Sequence, residues 1–99
     1  RAEFPLTAEF ETKSTNVRVT RSGVAAHLSD VAAHRDAGGA YYECDPKVRS
    51  ELCVPVLDAA GKVAGLVDAE ARAVAHFTPP RVAMVAALAL EAAAHLPAR

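Results

Sequence analysis

Residues 50–57, SELCVPVL, alternate as a β-strand does. Leu52, Val54 and Val56 fall on one side, and Glu51, Cys53, Pro55 and Leu57 on the other. Asp58-Ala59-Ala60-Gly61 then reads as a turn, and Lys62 to Glu70 as the return strand of an antiparallel hairpin. Register decides which groups meet across such a pair. Pairing Leu57 with Lys62 sets Glu51 opposite Asp68, Arg49 opposite Glu70 and Cys53 opposite Leu66. Glu51, Asp68 and Glu70 then share one face with Cys53, while Leu52, Val54 and Val56 join Val63 and Val67 on a core face. Pro55 has no backbone donor, so one side of its strand is expected to be unpaired there.

The C-terminal part supplies a scaffold for this hairpin. Thr78-Pro79 opens a helix, with Thr as cap and Pro in the first turn, running to about Leu96 before Pro97. From Val82 to Leu90 it carries no polar side chain, and its least apolar stripe is Arg81, Met84, Leu88, Glu91 and His95. A helix this apolar needs more than one surface to cover it. One is its own sheet; a second chain or a further helix supplies the other. The chain has Tyr 2, Phe 3 and Trp 0, so its core rests on Ala, Val and Leu. A small core of this kind also points to a homodimer.

The remaining segments are less decisive. Phe4-Pro5-Leu6 suggests a short extended edge segment. In residues 11–23, Ser14, Thr15 or Asn16 can cap a short helix ended by Gly23, yet Val17 and Val19 also alternate with Arg18 and Thr20 as a strand would. Both readings stand. Val24 to Val31 reads as a short strand with a turn at Ser29-Asp30. Residues 32–43 contain Gly38-Gly39 without periodicity and read as a surface loop.

With 99 residues, 52% hydrophobic and 23% charged, the chain fits a single domain over 1–99. The net charge of -1, scattered along the chain, gives no basic surface for nucleic acid and no polybasic membrane patch. No apolar run approaches the roughly 20 residues of a membrane span, and there is no signal peptide. Two cysteines are too few for a disulfide scaffold and fit the cytoplasm.

The acid face admits two readings. It is a solvated outer face, or a concave site where three carboxylates bind a cation such as an amino group and one holds a proton for delivery. Cys53 and Leu57 on that face argue against full exposure. Cys44 sits in the loop ahead of the hairpin, beside Tyr41 and Tyr42. A loop position gives it the access a nucleophile needs, but neighbouring Glu43 and Asp45 favour the thiol while Lys47 and Arg49 favour the thiolate, so reactive and inert readings both stand; Cys53 reads as structural. His27, His34, His76 and His95 show no zinc spacing, Gly38-Gly39 is no phosphate cradle, and Ser22-Gly23 is no nucleophile elbow. No metal or cofactor is expected.

The run from Cys44 to Ala71 resembles the GAF domain, and within it the free methionine-(R)-sulfoxide reductases. The residues that carry the resemblance are Cys44-Asp45, Ser50-Glu51, Val54-Pro55-Val56 and Gly65-Leu66-Val67-Asp68-Ala69-Glu70. Asp30-Val31 and His76-Phe77-Thr78 extend it over roughly residues 20–96. The resemblance implies a pocket between the sheet and the loop before Cys44. Cys44 matches the nucleophile that attacks the sulfoxide sulfur. Glu51 and Asp68 match acids that hold the amino group, and Glu70 stands where the third is normally Asp. Asn16 occupies the position of the recycling cysteine and cannot form a disulfide.

The expectation is an α+β GAF-like domain over 1–99: an antiparallel sheet with the C-terminal helix packed on one face, and, as the resemblance implies, the N-terminal part of the usual domain shortened or truncated. Its leading function is to bind a small amino-bearing ligand such as methionine sulfoxide through Glu51, Asp68, Glu70, Tyr41 and Tyr42. One alternative is reduction of that ligand by Cys44 with an external thiol. Another is a non-catalytic dimerisation or signalling module using the Met84–Leu88 stripe.

Overall fold

The computed structural model describes residues 14–39 and 45–97. Helix α1 (Thr15–Ser22) leads into the short strand β1 (Ala26–Leu28) and helix α2 (Val31–Asp36). Strands β2 (Ser50–Leu57) and β3 (Val63–Ala71) follow, then helix α3 (Pro79–Ala94). The sheet is antiparallel in the order β1-β2-β3. It is an α+β fold with the C-terminal helix on one face of the sheet, as the sequence leads one to expect, and with α1 against the same strands from the other side; no helix among the described residues is long and apolar enough to cross a membrane.

In residues 14–23 the helix wins over the strand because both ends are capped. Ser14 Oγ accepts from Val17 N–H at 3.4 Å, and Gly23, at φ 69°, donates its N–H to Val19 O at 2.9 Å. The strand-like alternation has its own cause. Val17 and Val19 are both fully buried, although they lie on different sides of a helix, so α1 is enclosed over more than one stripe.

Residues 31–36 are helical, not loop. Asp30 is the cap of α2 rather than part of a turn, its Oδ1 accepting from Ala33 N–H at 3.1 Å. The strand read over Val24–Val31 contracts to Ala26–Leu28. Its partners on β2 end at Cys53, so Pro55 lies beyond the ladder with β1, where a missing donor costs nothing.

The hairpin departs from the expected register by two residues. Asp58 closes the turn: its carboxylate accepts from Ala60 N–H and Lys62 N–H, both at 2.9 Å, and its own N–H donates to Lys62 O at 2.8 Å. Lys62 therefore belongs to the turn, and Leu57 pairs with Val63. An irregularity between Val56 and Leu57 then passes over Ala64, so that Val56 meets Gly65. Glu51 consequently faces Glu70, and Cys53 faces Asp68. A shift of two preserves the faces, because side chains alternate with period 2.

Leu52, Phe77 and Val85 form the core on one face, with Val54, Val67, Ala69, Ala71 and Val82 packed against them. Helix α3 covers that face. Thr78 is its N-cap without a side-chain bond, and Pro79 and Pro80 occupy its first turn. The helix ends at Ala94, with His95 as C-cap, a little before the expected Leu96. Phe77 reaches the core flanked edge-on by the His27 and His76 rings, which gives both histidines a packing role.

Candidate functional site

The opposite face of the hairpin carries Glu51, Cys53, Asp68 and Glu70, and α1 packs over it. The face is therefore not a solvated exterior. Glu51 is only 4% exposed, Asp68 is half-buried, and Glu70 sits exposed at the rim. Each of the three acids offers a carboxylate oxygen, and these oxygens lie within 4.8 Å of one another. Strand pairing brings Glu51 and Glu70 together, and the period of β3 adds Asp68 two residues away.

Asn16 reaches this cluster from the first turn of α1. Its Nδ2 donates to Asp68 Oδ2 at 3.4 Å, while its Oδ1 is buried and accepts no hydrogen bond among the described residues. Asn16 is thus a wall of the acid site. In the sequence this position reads as a possible helix cap and as the place of a missing cysteine, and neither points to the acids. The signal that could have found its contact was Ser14 as cap, which turns Asn16 towards the sheet once α1 is accepted as a helix.

Cys53 lies fully buried between the acids. Burial first, then the charges of Asp68 and Glu51, push its thiol up from 9.0 to about 12. It is a protonated packing group at neutral pH, not a thiolate nucleophile. Tyr41, Tyr42 and Cys44 lie outside the described residues, as does Phe4-Pro5-Leu6. Arg49, expected opposite Glu70, instead donates its backbone N–H to Ala71 O at 2.8 Å and its Nη1 to Pro46 O at 2.7 Å.

An oxygen-only donor set of three carboxylates suits a hard cation or an ammonium group. Both need anionic acceptors converging on one point. A separate depression of about 370 Å³ lies between the hairpin turn and the end of α3, lined by Asp58, Ala64, Ala93 and Leu96 among others. Its carboxylate already serves the turn, so it offers little to orient a ligand.

The family model for the GAF domain matches residues 3–96. The chain belongs to the GAF domain family. No curated protein matches it. Among solved structures, it is similar to the type II free methionine-R-sulfoxide reductase of Thermoplasma acidophilum, with TM-score 0.71 and 23% identity over 84% of this chain and 55% of that one. A putative GAF sensor protein from Burkholderia vietnamiensis gives TM-score 0.71 and 23% identity, over 84% of this chain and 50% of that one. The free methionine-R-sulfoxide reductase from Neisseria meningitidis, solved with its substrate, gives TM-score 0.65 and 28% identity, over 81% of this chain and 44% of that one. This GAF chain thus spans about half the length of the solved structures it matches. The resemblance read from Cys44 to Ala71 holds for the family, and reductases stand among its structural neighbours.

Proposed function

We propose that this GAF domain binds a small ligand bearing a protonated amino group, of the class of methionine sulfoxide, with Glu51, Asp68 and Glu70 as its acceptors. The observation that carries the reading is three carboxylate oxygens within 4.8 Å of one another, on a face covered by α1. Gathering like charges on partly buried strands destabilises the fold, and a bound cation offsets that cost. Tyr41 and Tyr42, just ahead of the site in sequence, complete the proposed binding set. The similarity to the Neisseria meningitidis reductase supports the ligand class.

A second reading adds chemistry at Cys44. In it the Cys44 thiolate attacks the sulfoxide sulfur, and an external thiol then reduces the oxidised cysteine. In balance, one sulfoxide and two thiols give methionine, one disulfide and water. The reductase neighbours favour this reading, and Cys53, protonated to about 12, is no substitute for the external thiol. The chain acts as a homodimer in the cytoplasm under either reading.

Calorimetric titration of the full chain with free methionine-(R)-sulfoxide tests the binding. Saturable binding that the N-acetylated analogue does not show supports the reading, and absence of heat with every amino-acid ligand sinks it. Turnover with an added thiol, lost in Cys44→Ser, decides the second reading. A calcium titration run alongside shows whether the same oxygens prefer a metal ion.

A further inference from the structure

Strand β3 is the least covered part of the sheet. Among the described residues it has a strand beside it on one edge only. Every residue of β3 is half-buried or exposed, whereas β2 buries Ser50, Glu51, Leu52, Cys53 and Val56. Helix α3 lies mainly over β2 and gives β3 the thinner cover. The outer edge runs from Val63 to Ala71, nine residues without Pro, Lys or Arg. Those are the residues that ordinarily keep an edge from pairing, so this one is a template for a further strand.

Charge says which strand fits. Asp68 and Glu70 stand on the acid face of β3, so an incoming strand gains from a base opposite them and loses from an acid. A second β3, laid antiparallel about a twofold axis, can be centred on any of its residues. Centring between two residues would set the acid face of one copy beside the core face of the other. Centring on Asp68 or Ala69 opposes acid to acid, and centring on Val67 opposes Lys62 to the partner's Arg72. Centring on Leu66 opposes Lys62 to the partner's Glu70, Val63 to the partner's Ala69 and Ala64 to the partner's Asp68. It is the longest pairing of this strand with itself that opposes no like charges.

We infer that two copies of the chain pair antiparallel along β3, about a twofold axis at Leu66, and that each lends Lys62 to the acid site of the other. The Lys62 side chain is exposed, while its backbone N–H is held by Asp58 Oδ1 at 2.9 Å. Glu70 is the exposed member of the three carboxylates whose oxygens lie within 4.8 Å. Lys62 of the partner subunit therefore meets the group at its rim and offsets part of its repulsion, leaving Glu51 and Asp68 beneath α1 to a ligand. About one backbone hydrogen bond for each opposed pair supplies the attraction. The area covered by a single strand pair is small, so the dimer is weak and concentration-dependent. Pairing needs only the strand edge, and it holds whether or not the acids take an amino-bearing ligand.

Sedimentation velocity over a concentration series of the full chain, joined to disulfide trapping, is the test. The wild type shows a monomer–dimer equilibrium. Leu66→Cys, mildly oxidised, gives a dimer whose linked peptides join position 66 of both copies, because residues opposed at the axis bring their Cα atoms to about 4.5–5.5 Å. Ala64→Cys gives no such link, since the two positions lie four residues apart along the pair, more than about 13 Å. Lys62→Glu, at an exposed turn position, raises the dimer Kd roughly 3- to 30-fold by setting acid against acid at two symmetric pairs. Adding Glu70→Lys to it brings the Kd back. A wild type monomeric at every concentration overturns the pairing, as does a dimer that Leu66→Cys does not trap. Linkage through position 64 instead of 66, or a double reversal that fails to recover the dimer, overturns the register.

Discussion

On the α3 side of the hairpin, Leu52, Val54, Val67, Ala69 and Ala71 close against Phe77, Val82 and Val85. On the α1 side, the same two strands set Glu51, Cys53, Asp68 and Glu70 beneath a helix that answers with Asn16. Both faces are covered, yet their energetics differ in sign. Apolar burial stabilises by roughly 25 cal/mol per Å² on the first. Burying carboxylates near one another costs free energy on the second unless partners offset it. One hairpin thus keeps its stability on one face and its chemistry on the other. Substitutions on the two faces should therefore separate stability from binding.

The largest expected effect lies on the α3 face. Leu52 is 2% exposed at the centre of the core. Leu52→Ala removes its buried surface and leaves a cavity, costing about 2–5 kcal/mol in denaturant unfolding. In a domain this small, that is a large part of the whole stability. An effect below about 1 kcal/mol would mean that α3 is not the main stabilising cover.

Cys53 gives the next effect, and its sign can be worked out. Its folded thiol titrates at about 12 against 9.0 as the ordinary value. Above pH 9 the unfolded chain releases this proton while the folded chain retains it, so the unfolded state holds fewer protons. Stability is complete below pH 9 and falls as pH rises towards 12, by an amount on the order of a few kcal/mol. Alkaline unfolding of the wild type beside Cys53→Ala checks this, since the variant lacks that part of the decline. Native Cys53 should also resist alkylation at pH 8 and react once unfolded. Ready labelling in the folded state would mean that the acid face is open.

Much of this contrast was legible in the sequence, because faces follow from period-2 alternation and survive an even shift in register. Glu51, Asp68 and Glu70 were therefore correctly grouped, although Glu51 meets Glu70 rather than Asp68. The partners were missed because Asp58 spends its carboxylate on two turn N–H groups, making Lys62 part of the turn, and because Ala64 is passed over. Neither event alters hydropathy. Asn16 was illegible for a different reason. Its contact with Asp68 spans 52 residues and depends on α1 being a helix, while the burial of Val17 and Val19 imitates a strand. The apolar character of α3 was evident, and the exposure of Met84 and Leu88 is what the sheet alone leaves of it.

On the acid face, Glu51→Gln should move stability and binding in opposite directions. The substitution keeps shape but removes one charge from a group of three whose oxygens lie within 4.8 Å. Relief of like-charge repulsion stabilises the unliganded chain by up to about 1 kcal/mol, or several degrees in Tm. Binding of an ammonium ligand weakens roughly 10- to 100-fold through loss of a charged acceptor. Lower stability together with unchanged affinity would make Glu51 a structural residue and break the division between the two faces.

The smallest effect is expected at Asn16, where α1 meets the acids. Its bond to Asp68 is long at 3.4 Å and only part-buried, so Asn16→Ala should cost no more than about 1 kcal/mol in unfolding. Affinity is the sharper measurement. With Nδ2 given to Asp68, the buried Oδ1 is the atom left to accept from a ligand N–H. Asn16→Asp retains that acceptor but replaces the donor with a negative oxygen facing Asp68. If Asn16 serves the ligand only by orienting Asp68, Asn16→Ala and Asn16→Asp should weaken ammonium binding alike. If Oδ1 itself accepts from the ammonium, Asn16→Asp should bind more tightly than Asn16→Ala, because the added carboxylate repels Asp68 in the empty site and attracts the cation in the filled one. Equal affinity in wild type and both variants would remove α1 from the site and leave the acids as a property of the hairpin alone.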